Sequence, residues 1–182
     1  LRRQLFEMVM RQGKGHIPSS YSCADIITAL YYGGVLNYKE GDPDYADRDR
    51  VIISKGHAAM VLYPILADIG YYPAAELQRF TEPGGLLGMY ADFRIPGIEG
   101  ISGSLGHGLG MGAGFALAAR QDGKDYRTFV VLGDGECYEG SIWESAMFAA
   151  HHKLDNLVAI VDRNQLCILG RTEDLVALGD LQ

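Results

Sequence analysis

Thr128-Phe129-Val130-Val131-Leu132-Gly133-Asp134-Gly135-Glu136 begins a stretch that runs on to Leu157-Val158-Ala159-Ile160-Val161-Asp162-Arg163-Asn164. The first apolar, β-branched run ending in Gly-Asp-Gly reads as a buried strand meeting a turn. A helical pattern from about Gly140 to Leu154 follows, and then a second buried-strand pattern. Strand, helix and strand make a βαβ unit with parallel strands. Asp134 and Asn164, 30 residues apart, therefore leave the same edge of one sheet. Ligands of open α/β sheets bind beside those carboxyl ends. A carboxylate and an amide oxygen brought together there suit a hard divalent cation such as Mg²⁺, which holds phosphates through oxygen ligands. Taken singly, an Asp in a turn and an Asn capping a helix are commonplace. The pair at successive strand ends carries the metal reading, with both side chains expected in surface turns.

Working outward, residues 1–12 read as a helix with Leu5, Met8 and Val9 on one face, stopped by Gly13. A loop is expected over 13–20, and Ser22 with Asp25 resembles a capping box opening a helix to about Tyr32. Residues 38–50 are polar and acidic and read as a surface connection. Arg50 to Ser54 reads as a short buried strand, and Ala58 to Ile69 as a helix closed by Gly70. Phe80 to Gly100 holds Gly, Pro and few periodic apolar positions, so a long functional loop is expected. Gly106, Gly110, Gly114 and Ala118 recur every four residues into a helix ending near Arg120, a small stripe that permits close packing. The whole reads as one α/β domain over residues 1–182, a doubly wound, mostly parallel sheet flanked by helices.

Composition excludes several function classes. With 16 basic against 23 acidic residues and a formal charge of −7, nonspecific nucleic-acid binding is not expected. No apolar run reaches a membrane span and no secretory leader is visible, so a cytoplasmic protein is expected. Cys23, Cys137 and Cys167 are odd in number, lack metal-type spacing and read as reduced, packed thiols. Leu1 and Gln182 both look like cut points in a longer chain.

Four blocks in order carry a resemblance: Gly15-His16, Ser54-Lys55-Gly56-His57, Gly103-Ser104-Leu105-Gly106-His107-Gly108, and Gly133-Asp134-Gly135-Glu136-Cys137-Tyr138-Glu139-Gly140-Ser141-Ile142-Trp143-Glu144. Together they resemble the diphosphate-binding domain of transketolases, enzymes that use thiamine diphosphate and Mg²⁺. The resemblance implies Asp134, Asn164 and the Leu166 carbonyl as metal ligands, and Gly135 N–H and His57 at the diphosphate. It implies that the Gly103 carbonyl and Leu105 lie at the cofactor rings, and that His16 faces the substrate carbon skeleton. An imidazole near neutral pKa suits proton transfer at a sugar hydroxyl. Glu139 and Glu144 match acidic positions buried at a subunit interface, and Glu139 is grouped with His16 and His57 as catalytic. His107, His151 and His152 carry less.

Two positions depart from the pattern. Gly88-Met89-Tyr90 stands where transketolases usually carry Gly-His-Pro, placing Met89 at the donor's terminal hydroxyl, and Leu169 replaces the usual acidic residue before Gly170. Met89 offers only a weak sulfur acceptor. The pyrimidine-binding domain, whose Glu activates the cofactor, has no room in 182 residues. The resemblance therefore points to the N-terminal half of a split transketolase, active in a heterotetramer with a pyrimidine-domain subunit. It would transfer a two-carbon ketol unit from a ketose to an aldehyde. Use of a methyl ketone or 2-oxo acid donor, and a noncatalytic scaffold, are the other readings.

Overall fold

The computed structural model describes residues 1–181. Strands β1 (Arg50–Ile53), β2 (Thr128–Gly133) and β3 (Leu157–Asp162) form a parallel sheet in that order. The register sets Arg50 beside Thr128 and Gly133 beside Asp162, so all three strands end along one edge. Side chains alternate across a strand, and each face collects its own layer. Val51, Ile53, Phe129 and Val131 face α1 (Arg2–Gln12), α2 (Ile17–Ser22), α3 (Ala24–Tyr32) and α4 (Leu62–Asp68). Ile52, Val130 and Leu132 face α5 (Gly108–Gln121) and α6 (Gly140–His151). The result is a three-layer α/β arrangement, as the βαβ reading implies. β2 is buried along its whole length, while β3 is half-buried and forms an edge among the described residues.

α1 buries Leu5, Met8 and Val9 and ends on Gly13 in the left-handed conformation, φ 63°. Other elements differ from expectation. α2 starts at Ile17, inside the expected loop, because Pro18 sits in its first turn where a missing N–H costs nothing. Ser22 ends that helix instead of capping the next, and Asp25 pairs with Arg2 at 2.9 Å. The segment before α4 is a tighter 3₁₀ turn (Gly56–Val61).

Residues 38–50 are not wholly superficial. Arg48 and Asp49 are buried; Arg48 meets Glu99 at 2.6 Å, and Asp49 accepts from the Arg127 backbone at 2.7 Å. Both partners lie more than 45 residues away in sequence, out of reach of local pattern.

The stripe that meets the sheet is Gly108, Gly112 and Ala116, not the expected one. A Cβ on Gly112 would stand 2.4 Å from Val130 Cγ2, whereas Gly114 faces open space. α5 is small at most positions, so its periodicity does not select a face. No helix or strand occurs from Phe80 to His107, and the buried residues Phe80, Leu87 and Ile95 hold this segment in place. Beyond β3 come a two-residue hairpin, β4 (Leu166–Cys167) with β5 (Gly170–Arg171), and a short α7 (Thr172–Leu175).

Candidate active site at the strand ends

Gly133 and Asp162 are register partners, so the turns after β2 and β3 emerge side by side. Asp134 is 1% exposed, which corrects the expectation of a surface turn. Its Oδ1 accepts from Gly135 N at 2.9 Å and its Oδ2 from Gln165 N at 2.6 Å. Asn164 Oδ1 accepts from Leu166 N at 2.8 Å, and its Nδ2 donates to Ser22 Oγ at 3.0 Å. Each of these side-chain oxygens keeps a further lone-pair direction. Among the described residues no group of three or more His, Cys, Asp or Glu is arranged to hold a metal. The donors available at the turns are one carboxylate and one amide oxygen, with backbone carbonyls beside them. That set fits Mg²⁺, which takes one or two protein side chains and fills its octahedron with waters and phosphate oxygens.

The turn after β1 joins the same edge through two residues that sequence reasoning left aside. Lys55, 3% exposed, donates from Nζ to Asp162 Oδ2 at 2.5 Å and to Ser19 O at 3.2 Å. Glu136, 2% exposed, accepts from Ser54 Oγ, Gly106 N and Gly133 N. Both stand inside two of the four blocks, Ser-Lys-Gly-His and Gly-Asp-Gly-Glu. Charged residues within a few positions of a strand end were the available signal.

α2 closes the ring. Its first end carries His16, whose imidazole centroid lies 5.7 Å from that of His57, edge to face. Its last residue is Ser22, the partner of Asn164. His57 is held below the ordinary histidine range by burial first, then by His16 and Lys55 nearby. It is accordingly neutral near pH 7, with one nitrogen to donate and one to accept. In the long loop the ring beside His16 is that of Tyr90, centroid to centroid 6.1 Å, with Met89 half-buried in the preceding position. Tyr63, fully buried, fixes that loop by donating to Gly88 O at 2.9 Å.

Gly103 and Leu105 are exposed on a short arch beneath α5, and a Cβ on Gly103 would meet nothing. Glu139 is exposed at the start of α6 with its stem against Gly106, and Glu144 is exposed one turn on. His107 precedes α5 without a capping bond, and His151 and His152 meet edge to face at the end of α6. Asp134, Asn164 and His57 thus follow strand ends at one edge of the sheet, with His16 beside His57 and the Gly103–Gly106 arch tied there through Glu136.

The family described as transketolase, thiamine diphosphate binding domain, matches residues 1–180. The chain belongs to the transketolase family. Among its curated relatives, one of the subunits of the apulose-4-phosphate transketolase of Phocaeicola vulgatus is 42% identical over 181 residues, covering 100% of this chain and 64% of that protein. One from the 6-deoxy-6-sulfo-D-fructose transketolase of a Clostridium species is 37% identical, covering 100% of this chain and 66% of the relative. The chain thus spans just under two thirds of the length of these transketolase subunits. Among solved structures, transketolase of Campylobacter jejuni superposes with a TM-score of 0.89 at 30% identity over 96% of this chain and 28% of that one. Among the described residues no helix is long and apolar enough to cross a membrane.

Proposed function

We propose that this chain is the thiamine-diphosphate- and Mg²⁺-binding component of a two-part cytoplasmic transketolase that moves a two-carbon ketol unit from a ketose to an aldehyde. The observation that carries it is the convergence of Asp134, Asn164, Gly135 and His57 at one sheet edge. Identity along the whole chain to proteins named as transketolase subunits supports the division into two parts. Asp134, Asn164 and the Leu166 carbonyl hold the metal; Gly135 N–H and His57 hold the diphosphate. Gly103 and Leu105 meet the rings. When bound, the cofactor supplies the carbanion chemistry. In this reading His16 and His57 exchange a proton with a sugar hydroxyl, work for which an imidazole can both donate and accept. Glu139, exposed here, belongs to the contact with the pyrimidine-domain subunit in a heterotetramer.

Calorimetric titration of thiamine diphosphate into the full-length protein with its partner tests this reading. Binding should require Mg²⁺ and should vanish in Asp134→Asn and Asn164→Ala. Unchanged affinity in both variants overturns the metal assignment. The chain without a pyrimidine-domain partner should show no turnover, and product formed by it alone removes the two-part reading.

Met89 favours a second reading of donor choice. A thioether gains little from a hydroxyl and tolerates a methyl group, so methyl ketone and 2-oxo acid donors should compete better than a histidine there would allow. Met89→His should shift the ratio of kcat/KM values toward the hydroxylated donor by roughly 1–3 kcal/mol, the scale of one hydrogen bond to a buried group. An unchanged ratio shows that Met89 does not face the donor, and ordinary ketol transfer is then the stronger reading.

A further inference from the structure

Three separate stretches of chain reach the candidate site, and one side chain touches all of them. Glu136 Oε1 accepts from Ser54 Oγ at 2.5 Å and from Gly106 N at 2.8 Å, while Oε2 accepts from Gly133 N at 3.1 Å. Ser54 Oγ in turn accepts from Gly108 N at 3.1 Å, the first residue of α5. A buried carboxylate is costly unless its oxygens are met by donors, and here three donors converge on it. Being acceptor-only, with roughly four lone-pair sites, it can serve all three.

The arch Gly103–Leu105 is exposed, but its two ends are not free. Upstream, Ser102 Oγ donates to Ile53 O at 2.6 Å, and Gly56 packs so closely that a Cβ there would lie 1.7 Å from Ser102 O. Downstream, Gly106 adopts φ +86°. Its N–H goes to Glu136, and its carbonyl accepts from Ser141 Oγ at 2.9 Å. Glu136 also sits two residues past Asp134, in the 3₁₀ turn Gly135–Tyr138.

We infer that Glu136 is a positioning residue, a buried carboxylate that sets the Gly103–Gly106 arch against the Asp134–Gly135 turn. The inference rests on the proposed function for what lies at each end: the cofactor rings at the arch and the diphosphate at the turn. Glu136 fixes the spacing between them, so its loss penalises a ligand that needs both ends and spares one that needs only the turn.

E136Q is the variant of choice. With its one acceptor oxygen kept toward the Gly133 N–H, its NH₂ donates to Ser54 Oγ and opposes the Gly106 N–H, donor against donor. In the full-length protein with its partner, the Kd of thiamine diphosphate with Mg²⁺ should rise about 10- to 100-fold, the scale for residues that orient a ligand-binding group. The Kd of inorganic pyrophosphate with Mg²⁺ should stay within about twofold, well below that scale. Hydrogen exchange at Gly106 should accelerate while α1 stays protected. If both ligands weaken equally, or neither weakens, Glu136 does not set the spacing. If wild type binds neither ligand, the proposed function fails; the tether is then judged by exchange, and unchanged protection of Gly106 in E136Q overturns it. Should E136Q not fold, S141A releases the other side of Gly106 without touching the carboxylate. It should weaken thiamine diphosphate and spare pyrophosphate, and equal affinities for both ligands in S141A and wild type would refute the tether.

Discussion

The turns at the strand ends and the hairpin that follows β3 are neighbours in sequence and are built in opposite ways. Asp134, Glu136, Lys55 and Asp162 carry charge, are buried, and each meets a partner. Leu166, Ile168 and Leu169 are apolar and stand outward, Ile168 completely. α6 repeats the second pattern with Trp143, Met147 and Phe148 exposed along it. Buried charge is retained where it is paired, and clustered exposed apolar side chains mark a surface meant for contact. The polar edge thus pairs its charges within this chain, while the apolar surfaces stand exposed among the described residues.

The largest effect expected of breaking that contrast comes from Lys55→Met. It strands Asp162 in the interior, and removing one partner of a buried pair costs roughly 3–5 kcal/mol. A urea midpoint shift worth less than about 1 kcal/mol, the range of exposed pairs, would show that Lys55 and Asp162 are solvated in solution. Next comes Asp134→Ala, which removes the acceptor from Gly135 N and Gln165 N. Both bonds are only partly buried, so each donor left unpaired costs at most about 1–3 kcal/mol. Asp134→Asn keeps an acceptor oxygen and should be milder in stability, yet equally unable to bind Mg²⁺ and thiamine diphosphate. Equal melting temperatures for the two variants would mean that the side-chain bonds do not hold the turn.

A smaller, pH-dependent effect belongs to His57. Its folded-state pKa lies below the unfolded value of about 6.5. Above pH 6.5 both states are neutral there and its contribution is fully present. As pH falls from 6.5 toward the depressed folded value, the unfolded state takes up the proton first and stability declines. His57→Gln should flatten that part of the stability profile, and an unaltered slope would assign it to another group. The smallest effect is Ile168→Ser. Stability should stay within about 0.5 kcal/mol, as for exposed sites generally, while activity with the partner subunit falls. Full activity would show that the hairpin tip stays in water throughout.

The same contrast explains what the sequence made legible. The βαβ unit, α1 with its buried face and the long loop over 80–100 follow from periodicity, turn residues and glycine, all local signals. The positions of Asp134 and Asn164 follow from strand ends alone. What escaped depends on partners far away in sequence: Lys55 with Asp162, Glu136 with Ser54, Arg48 with Glu99. Such charges read as solvated until the fold supplies the opposite group. The face of α5 escaped for another reason, because a helix made of small residues has no marked side. Tyr90 beside His16 depends on how a loop without secondary structure is held, here by Tyr63 from within the core.

The bond between Lys55 and Asp162 spans 107 residues, that between Ser54 and Glu136 spans 82, and that between Asn164 and Ser22 spans 142. During synthesis at about 5–20 residues per second, Lys55 leaves the ribosome roughly 5–20 s before its counter-charge does. In that interval β1 cannot bury its end, because an unpaired ammonium stays in water. The edge of the sheet that holds the candidate site therefore closes only after β3 has emerged. Its formation reports that translation has passed Asn164.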